Sequence, residues 1–151
     1  MKTTIHLKPF AELTASELHA AARLRQEVFY LEQKVDCEDL DSTDLSSIFL
    51  WAEAEGAVIG VLRIVPPGVR YAEASVGRVA VAAKHRRQGV ARAMMQAALA
   101  YIDRTWHAPV RISAQEYIIP FYERLGFEVV SKLYSEAGIP HRKMIRQVWH
   151  G

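Results

Sequence analysis

Ile5 and Leu7 alternate with polar neighbours up to Pro9, a period of two that predicts a first strand. Thr14-Ala15-Ser16-Glu17 has the form of a capping box, in which Thr14 and Glu17 satisfy each other's free N–H groups. Leu18, Ala21, Ala22, Arg25 and Phe29 then recur at helical spacing, predicting a helix over 15–31. Residues 36–44 carry five carboxylates and few apolar side chains, and read as a loop. Two apolar runs, 48–54 and 57–65, meet at Glu55-Gly56 and read as a hairpin closed by Pro66-Pro67-Gly68. The stretch 74–82 is nearly all small or apolar, as a buried central strand requires.

Beyond Gly89, the positions Val90, Met94, Ala97, Ala98, Tyr101 and Ile102 mark one face of a helix ending near Trp106. A short strand follows at 110–114, then a helix over 117–125 stopped by Gly126 as a left-handed cap. Strands at 127–130 and 143–149 complete the pattern. The order predicts one domain over 1–151 of the α+β (mixed α/β) class, with a parallel crossover through the 89–106 helix. No internal repeat or linker interrupts it.

Composition narrows the function. The chain has 151 residues, half of them hydrophobic, and a net charge of +2, too small for a nucleic-acid-binding field. No apolar run approaches the ~20 residues that cross a bilayer, and the first residues lack a signal-peptide core, so a cytoplasmic protein with no membrane partner is expected. The single cysteine, Cys37, allows no internal disulfide and stands beside no histidine in a nucleophilic arrangement. The histidines at 6, 19, 85, 107, 141 and 150 lack ligand-like spacing, and the acidic loop lacks the central glycine of a calcium loop, so no metal is expected.

The basic residues instead gather at 84–92 and 142–146. A strand at 76–81, a short basic loop and a helix start with small residues form a setting for phosphate, because a helix N-terminus offers unpaired N–H groups and a positive dipole end. Gly89 and Ala91 leave the amides from Arg87 to Arg92 open, and Arg86, Arg87 and Arg92 add mobile charge. A diphosphate-bearing cofactor is the simplest ligand.

Arg86-x-x-Gly89-x-Ala91 after Val79-Ala80-Val81 resembles the acyl-CoA-binding motif of the GNAT acetyltransferase superfamily, and Phe121-Tyr122-Glu123-Arg124-Leu125-Gly126-Phe127 resembles its second signature. Leu24-Arg25-Gln26-Glu27-Val28-Phe29, Glu32-Gln33, Gly77-Arg78-Val79, Ser113-Ala114-Gln115 and Gly138-Ile139-Pro140-His141 resemble its ElaA-like branch. The resemblance implies a GNAT-like fold, with a mixed, largely antiparallel sheet of six to seven strands flanked by about four helices. It implies an N-acetyltransferase using acetyl-CoA as donor, with a small-molecule or peptide amine as acceptor; a homodimer is compatible with it. Val79, Ala80 and Val81 would pair through their backbone with the pantetheine arm, and the amides of Arg87, Gln88, Gly89, Val90, Ala91 and Arg92 would hold the diphosphate. Tyr122 matches the family's general acid, placed to give a hydrogen bond or proton to the leaving sulfur. Gln115 stands where many members carry Asn, and can offer an amide to the cofactor arm or to Tyr122.

The acceptor side is less determined. A carboxylate base is available in Glu32, Asp36 or Glu73, unless water alone suffices. Arg25, Arg63 and Arg78 lie in apolar elements and need partners, for which Glu27, Glu32 and Glu53 are candidates; the alternative is a patch binding an acceptor carboxylate. The acidic loop is either a solvated connection or an attractor of cationic acceptors. His141 follows Gly138-Ile139-Pro140, a rigid bend near the acceptor cleft or a turn that the histidine stabilises. Arg25, Glu32, Arg78 and His141 are therefore the candidate acceptor-binding residues. Two alternatives stand: transfer of a longer acyl chain, since the Leu24–Phe29 segment also resembles acyl-homoserine-lactone synthases, and a non-catalytic acyl-CoA-binding module.

Overall fold

Both apolar runs of the hairpin are dense because both faces of their sheet are covered. In the computed structural model, which describes residues 2–148, β1 (Thr4–Pro9), β2 (Ile48–Ala54), β3 (Ala57–Val65) and β4 (Ser75–Val81) form an antiparallel sheet in that order. Helix α1 (Ala15–Arg25) covers one face, where Ala21 and Leu24 meet Phe49, Trp51, Val61 and Ala80. Helix α2 (Val90–Thr105) covers the other, packing Met94, Ala98 and Ile102 among Leu50, Ala52, Leu62 and Ile64. Each large aliphatic side chain so enclosed contributes about 1.5–3 kcal/mol. Gly60 of β3 lets α2 come close, since a Cβ there would lie 2.9 Å from Met94 Sδ and Cε.

The capping box forms as predicted: Glu17 N–H donates to Thr14 Oγ1 at 3.1 Å, and Thr14 N–H to Glu17 Oε1 at 2.9 Å. The predicted helix over 15–31 keeps its extent but changes pitch. After α1 the chain winds through Gln26–Glu32 as a π turn, with Gln33 N–H bonded to Val28 O at 3.0 Å. The wider turn keeps Val28 in the core while Phe29, Tyr30 and Gln33 reach a cleft beside it.

A second sheet carries β5 (Val110–Gln115), β8 (Ile139–Arg146) and β6 (Glu128–Val129) in that order, with β7 (Tyr134–Glu136) also paired to β8. The hairpin β7–β8 was not legible, and it moves the start of the last strand forward from 143. Its turn is Ala137-Gly138, both at positive φ (53° and 76°), as a two-residue hairpin needs. The expected strand end, Trp149, and His150 lie outside the described residues. The helix expected over 117–125 is a 3-10 turn, Glu116–Ile118, followed by α3 (Ile119–Glu123) with Pro120 in its first turn. Gly126 caps it at φ 96°, as expected.

The mixed α+β class and the crossover β4–α2–β5 hold, through a parallel bridge between Ala74 and Val110. The described residues form eight strands in two sheets and three α-helices. The stretch expected as a central strand is central only at its beginning.

Candidate active site

Ala74 N–H bonds Pro109 O at 3.1 Å and Arg111 N–H bonds Ala74 O at 2.8 Å, joining β4 to β5. Beyond this point the strands diverge. The cause lies in a β-bulge: Val61 pairs with Ala80 and Arg63 with Gly77, so Arg78 and Val79 together face Leu62. Arg78 adopts φ +52°, and the bulged strand bends. A cleft of about 1260 Å³ opens between the splayed strands, walled by α1 and its π turn, the acidic loop, α3 and the β7–β8 hairpin.

β4 turns an edge that no strand among the described residues covers toward this cleft. Ala82 N–H bonds Ile59 O at 2.8 Å, so by alternation Val79 and Val81 direct their backbone groups away from β3. Their side chains pack on the α2 side of the sheet, whereas Ala80 is buried beneath α1. Val79 and Ala91 line the cleft. At the end of β4 the chain passes through Arg87 (φ 63°) and Gly89 (φ 81°) into α2, which no side chain caps. Ala93 N–H is bonded to Gly89 O at 3.0 Å, leaving the N–H groups of Val90, Ala91 and Arg92 directed out of the helix end. The Val90 side chain is buried, so only its amide is offered; Arg87, Gln88 and Arg92 are exposed. Such an end can hold an anion, and a free strand edge can pair with an extended amide-bearing chain.

Arg86 departs from expectation, because its charge is not mobile. Its Nε donates to Val81 O at 3.0 Å, and Nη1 and Nη2 donate to Glu32 at 2.5 and 2.7 Å. The Arg86 hydrogen bonds hold the Glu32 carboxyl below its ordinary range. Glu32 is thereby a buttress of the loop and a weak proton acceptor. It does not line the cleft, nor do Asp36 and Glu73; Glu73 is bound by Arg111 at 3.1 and 3.2 Å.

Tyr122 and Gln115 both line the cleft. The Tyr122 ring packs edge-on against Phe121 and Phe127, at centroid distances of 5.2 and 5.8 Å. Burial pushes its phenol up to about 12, with Tyr117 adding to the effect. The group is therefore a protonated donor throughout the neutral range. Gln115 Nε2 donates to Gln33 Oε1 at 3.3 Å, tying β5 to the π turn.

The three arginines pair with the acidic loop, not with Glu27, Glu32 or Glu53. Arg25 donates to Asp44 Oδ1 (2.9 Å), Asp39 Oδ2 (3.1 Å) and Asp39 O (2.6 Å). Arg63 donates to the same Asp44 oxygen at 3.0 Å and to Asp41 Oδ1 at 2.5 Å. Arg78 Nε lies 2.9 Å from Asp39 Oδ1, and its Nη2 lies 3.3 Å from Asp41 Oδ2. The loop folds back because Arg25 and Arg63, only 2% and 1% exposed, need counter-charges in the interior. Arg25 thus offers no free face to an acceptor carboxylate, and Asp39, Asp41 and Asp44 no free charge to a cationic one. Arg78 lines the cleft with 23% of its side chain exposed.

His141 is not at a bend. It lies in β8, directly opposite Gln115 in the register, and is 6% exposed. Ser113, Gln33 and Glu136 also line the cleft and were not foreseen. Ser113 shares one strand face with Gln115 and was readable by alternation; Glu136 depends on the unforeseen β7.

Among the described residues no cluster of His, Cys, Asp and Glu is placed to hold a metal ion, and no helix is long and apolar enough to cross a membrane. The sequence matches the acetyltransferase (GNAT) domain family over residues 16–148. It is 33% identical over 143 residues to Protein ElaA of Escherichia coli, covering 91% of this chain and 92% of that one. The crystal structure of an acyl-CoA N-acyltransferase from Pseudomonas aeruginosa matches with a TM-score of 0.91 at 35% identity, covering 96% of this chain and 99% of that one. That of Escherichia coli ElaA matches with a TM-score of 0.90 at 28% identity, covering 97% and 100%. A match that runs through the splayed strands, the helix between them and the hairpin beyond makes this chain a member of the GNAT acetyltransferase family, enzymes that take acyl groups from acyl-CoA donors and pass them to amine acceptors.

Proposed function

We propose that this enzyme transfers the acetyl group of acetyl-CoA to a primary amine by direct attack, with both substrates in the cleft between β4 and β5. The observation that carries the reading is the divergence of those strands beyond Ala74 and Val110, which leaves the edge of β4 beside the uncapped start of α2. Val79 and the N–H of Val81 pair with the pantetheine arm through that edge, the Val81 carbonyl being held by Arg86 Nε, and Ala80 keeps the strand in register. The amides of Arg87, Gln88, Gly89, Val90, Ala91 and Arg92 hold the diphosphate, while Arg86 fixes the loop. The thioester supplies an activated carbonyl and a sulfur leaving group. Gln115 orients the arm near it.

Tyr122 faces the sulfur. Its phenol, at about 12, is a far weaker acid than a thiol of ordinary pKa ~8.5. Its contribution is a hydrogen bond that strengthens as negative charge develops on sulfur, while the thiolate takes its proton from solvent. Arg78 and His141 border the acceptor half of the cleft. Purified protein given acetyl-CoA and a panel of polyamines, amino acids and peptides should release free thiol with at least one amine. Binding of coenzyme with no release for any amine supports a non-catalytic acyl-CoA-binding module instead.

A longer acyl donor is favoured by the size of the cleft, about 1260 Å³, and by apolar side chains along it, including Ala22, Phe29, Val35, Ile118 and Phe121. Ligand pockets commonly span ~300–1,000 Å³. A kcat/KM for octanoyl-CoA above that for acetyl-CoA selects this reading.

A further inference from the structure

A buried histidine is poised on the acceptor side of the cleft with its tautomer fixed. His141 Nδ1 lies 2.7 Å from the carbonyl oxygen of Ile139. A carbonyl only accepts, so Nδ1 carries the hydrogen and the neutral ring keeps its lone pair on Nε2. Nε2 lies 3.6 Å from Glu136 Oε2, and both residues line the cleft. The other Glu136 oxygen accepts from Ser113 Oγ at 3.0 Å, and the Ser113 hydroxyl also meets the Tyr134 hydroxyl at 2.5 Å. Tyr134 stacks on the imidazole at 6.1 Å. The neutral ring is thus held in orientation by a carbonyl and an aromatic face, and the Glu136 carboxylate stands beside its lone pair.

We propose that His141 Nε2 is the general base that takes the proton of the acceptor amine, and that Glu136 is a positioning residue stabilising the imidazolium so formed. The role rests on the acyltransfer reading above and deepens it. The nitrogen lone pair forms the new N–C bond, the C–S bond breaks, and its electron pair leaves with sulfur. One N–H proton passes from the nitrogen to Nε2, and the departing thiolate, held by the Tyr122 hydrogen bond, takes one proton from solvent. His141 then returns its proton to solvent, so the products are an amide and a thiol. The cross-strand pairing of Gln115 with His141 puts the two side chains on one face of the second sheet, with the pantetheine-binding amide next to the base.

The charged groups around the pair are few. Arg70 Nη2 stands 3.8 Å from Glu136, and Lys143 Nζ lies 4.7 Å from the Tyr134 ring centroid. Arg142 is turned to Glu116 at 3.8 Å. Glu136 is the carboxylate facing Nε2, and protonating the ring turns the contact into an ion pair.

The test compares wild type, His141→Gln and Glu136→Gln with acetyl-CoA and the fastest alkylamine of the screen, as kcat/KM between pH 6 and 10. Loss of the base should cost about 10²–10⁴-fold at pH 7, and the deficit should shrink as rising pH lets solvent hydroxide take the proton in place of Nε2. Glu136→Gln, on a more exposed side chain, should lose about tenfold with coenzyme affinity unchanged. A deficit independent of pH, or none, overturns the assignment. Long-range proton–nitrogen NMR gives a readout separate from activity: neutral His141 should show a protonated Nδ1 and a bare Nε2, and the opposite tautomer overturns the role. A wild-type protein that acetylates no amine overturns the acyltransfer reading itself, whereas unchanged turnover in His141→Gln overturns only the base.

Discussion

Arg86 and Glu32 grip each other at two points, with guanidinium nitrogens 2.5 and 2.7 Å from the two carboxylate oxygens, across 54 residues of sequence. The pair joins the π turn after α1 to the loop that leads into α2. Both side chains remain partly in water, at 37% and 45% exposure, so the pair contributes at most ~1 kcal/mol to stability. Its importance is positional, and it removes Glu32 from the set of bases.

Glu32→Gln should therefore leave kcat far closer to wild type than the roughly 10²–10⁴-fold loss expected for a missing base. The weakened grip on Arg86 should appear as a modest rise in the Kd for coenzyme. Steady-state rates and calorimetry on the same preparation check both. A hundredfold fall in kcat with unchanged coenzyme affinity would restore Glu32 to the chemistry.

Gly89 occupies φ +81°, and a Cβ built there meets nothing within 4 Å. Gly89→Ala should accordingly cost only the conformational penalty of about 1–2 kcal/mol and keep coenzyme binding. Gly89→Glu places bulk and negative charge before the free amides and should abolish it. Calorimetric titration with CoA separates the two, and a Glu variant that binds normally would move the diphosphate elsewhere.

Tyr122→Phe keeps the ring among Phe121 and Phe127 and deletes only the hydroxyl. Turnover should fall by tenfold or more, about 1.4 kcal/mol or above in transition-state stabilisation, with little change in coenzyme Kd. Because the phenol stays protonated up to about 12, no fall in wild-type rate between pH 8 and 10 should trace to it. Equal rates for the two proteins would remove Tyr122 from the mechanism.

Asp44, 4% exposed, balances two buried guanidinium groups at once. Asp44→Asn should destabilise the fold by roughly 3–5 kcal/mol, since it strands a buried charge; the shift in urea midpoint measures it. Asp41 adds a pH dependence. Burial pushes its carboxyl up, but the hydrogen bond and charge of Arg63, with the charges of Arg78 and Arg25, outweigh this and hold it low. Its contribution is complete above the ordinary carboxylate pKa of ~3.9 and is lost as pH falls through the lowered folded value. Asp41→Asn should flatten that part of the acid unfolding curve.

Local pattern alone determined a great deal of this protein. The capping box at Thr14, the Glu55-Gly56 hairpin, the apolar face of α2 and the Gly126 cap are all set by neighbours a few residues apart, and each forms where its residues predict. The family was legible for the same reason, since both of its motifs are contiguous stretches.

What only the tertiary structure decided was pairing at a distance. The partners of Arg25, Arg63 and Arg78 come from a loop that looked like a solvated connection, because no periodicity announces which carboxylate a buried cation will draw inward. The bulge at Arg78, which splays β4 from β5, exists only in the register between two strands. Glu136 likewise reaches His141 only once β7 has paired with β8. Spacing along the chain governs hydrogen bonds within a turn or hairpin. Desolvated charge and strand register instead depend on every element that closes around them, so these parts of the site became visible only in the assembled fold.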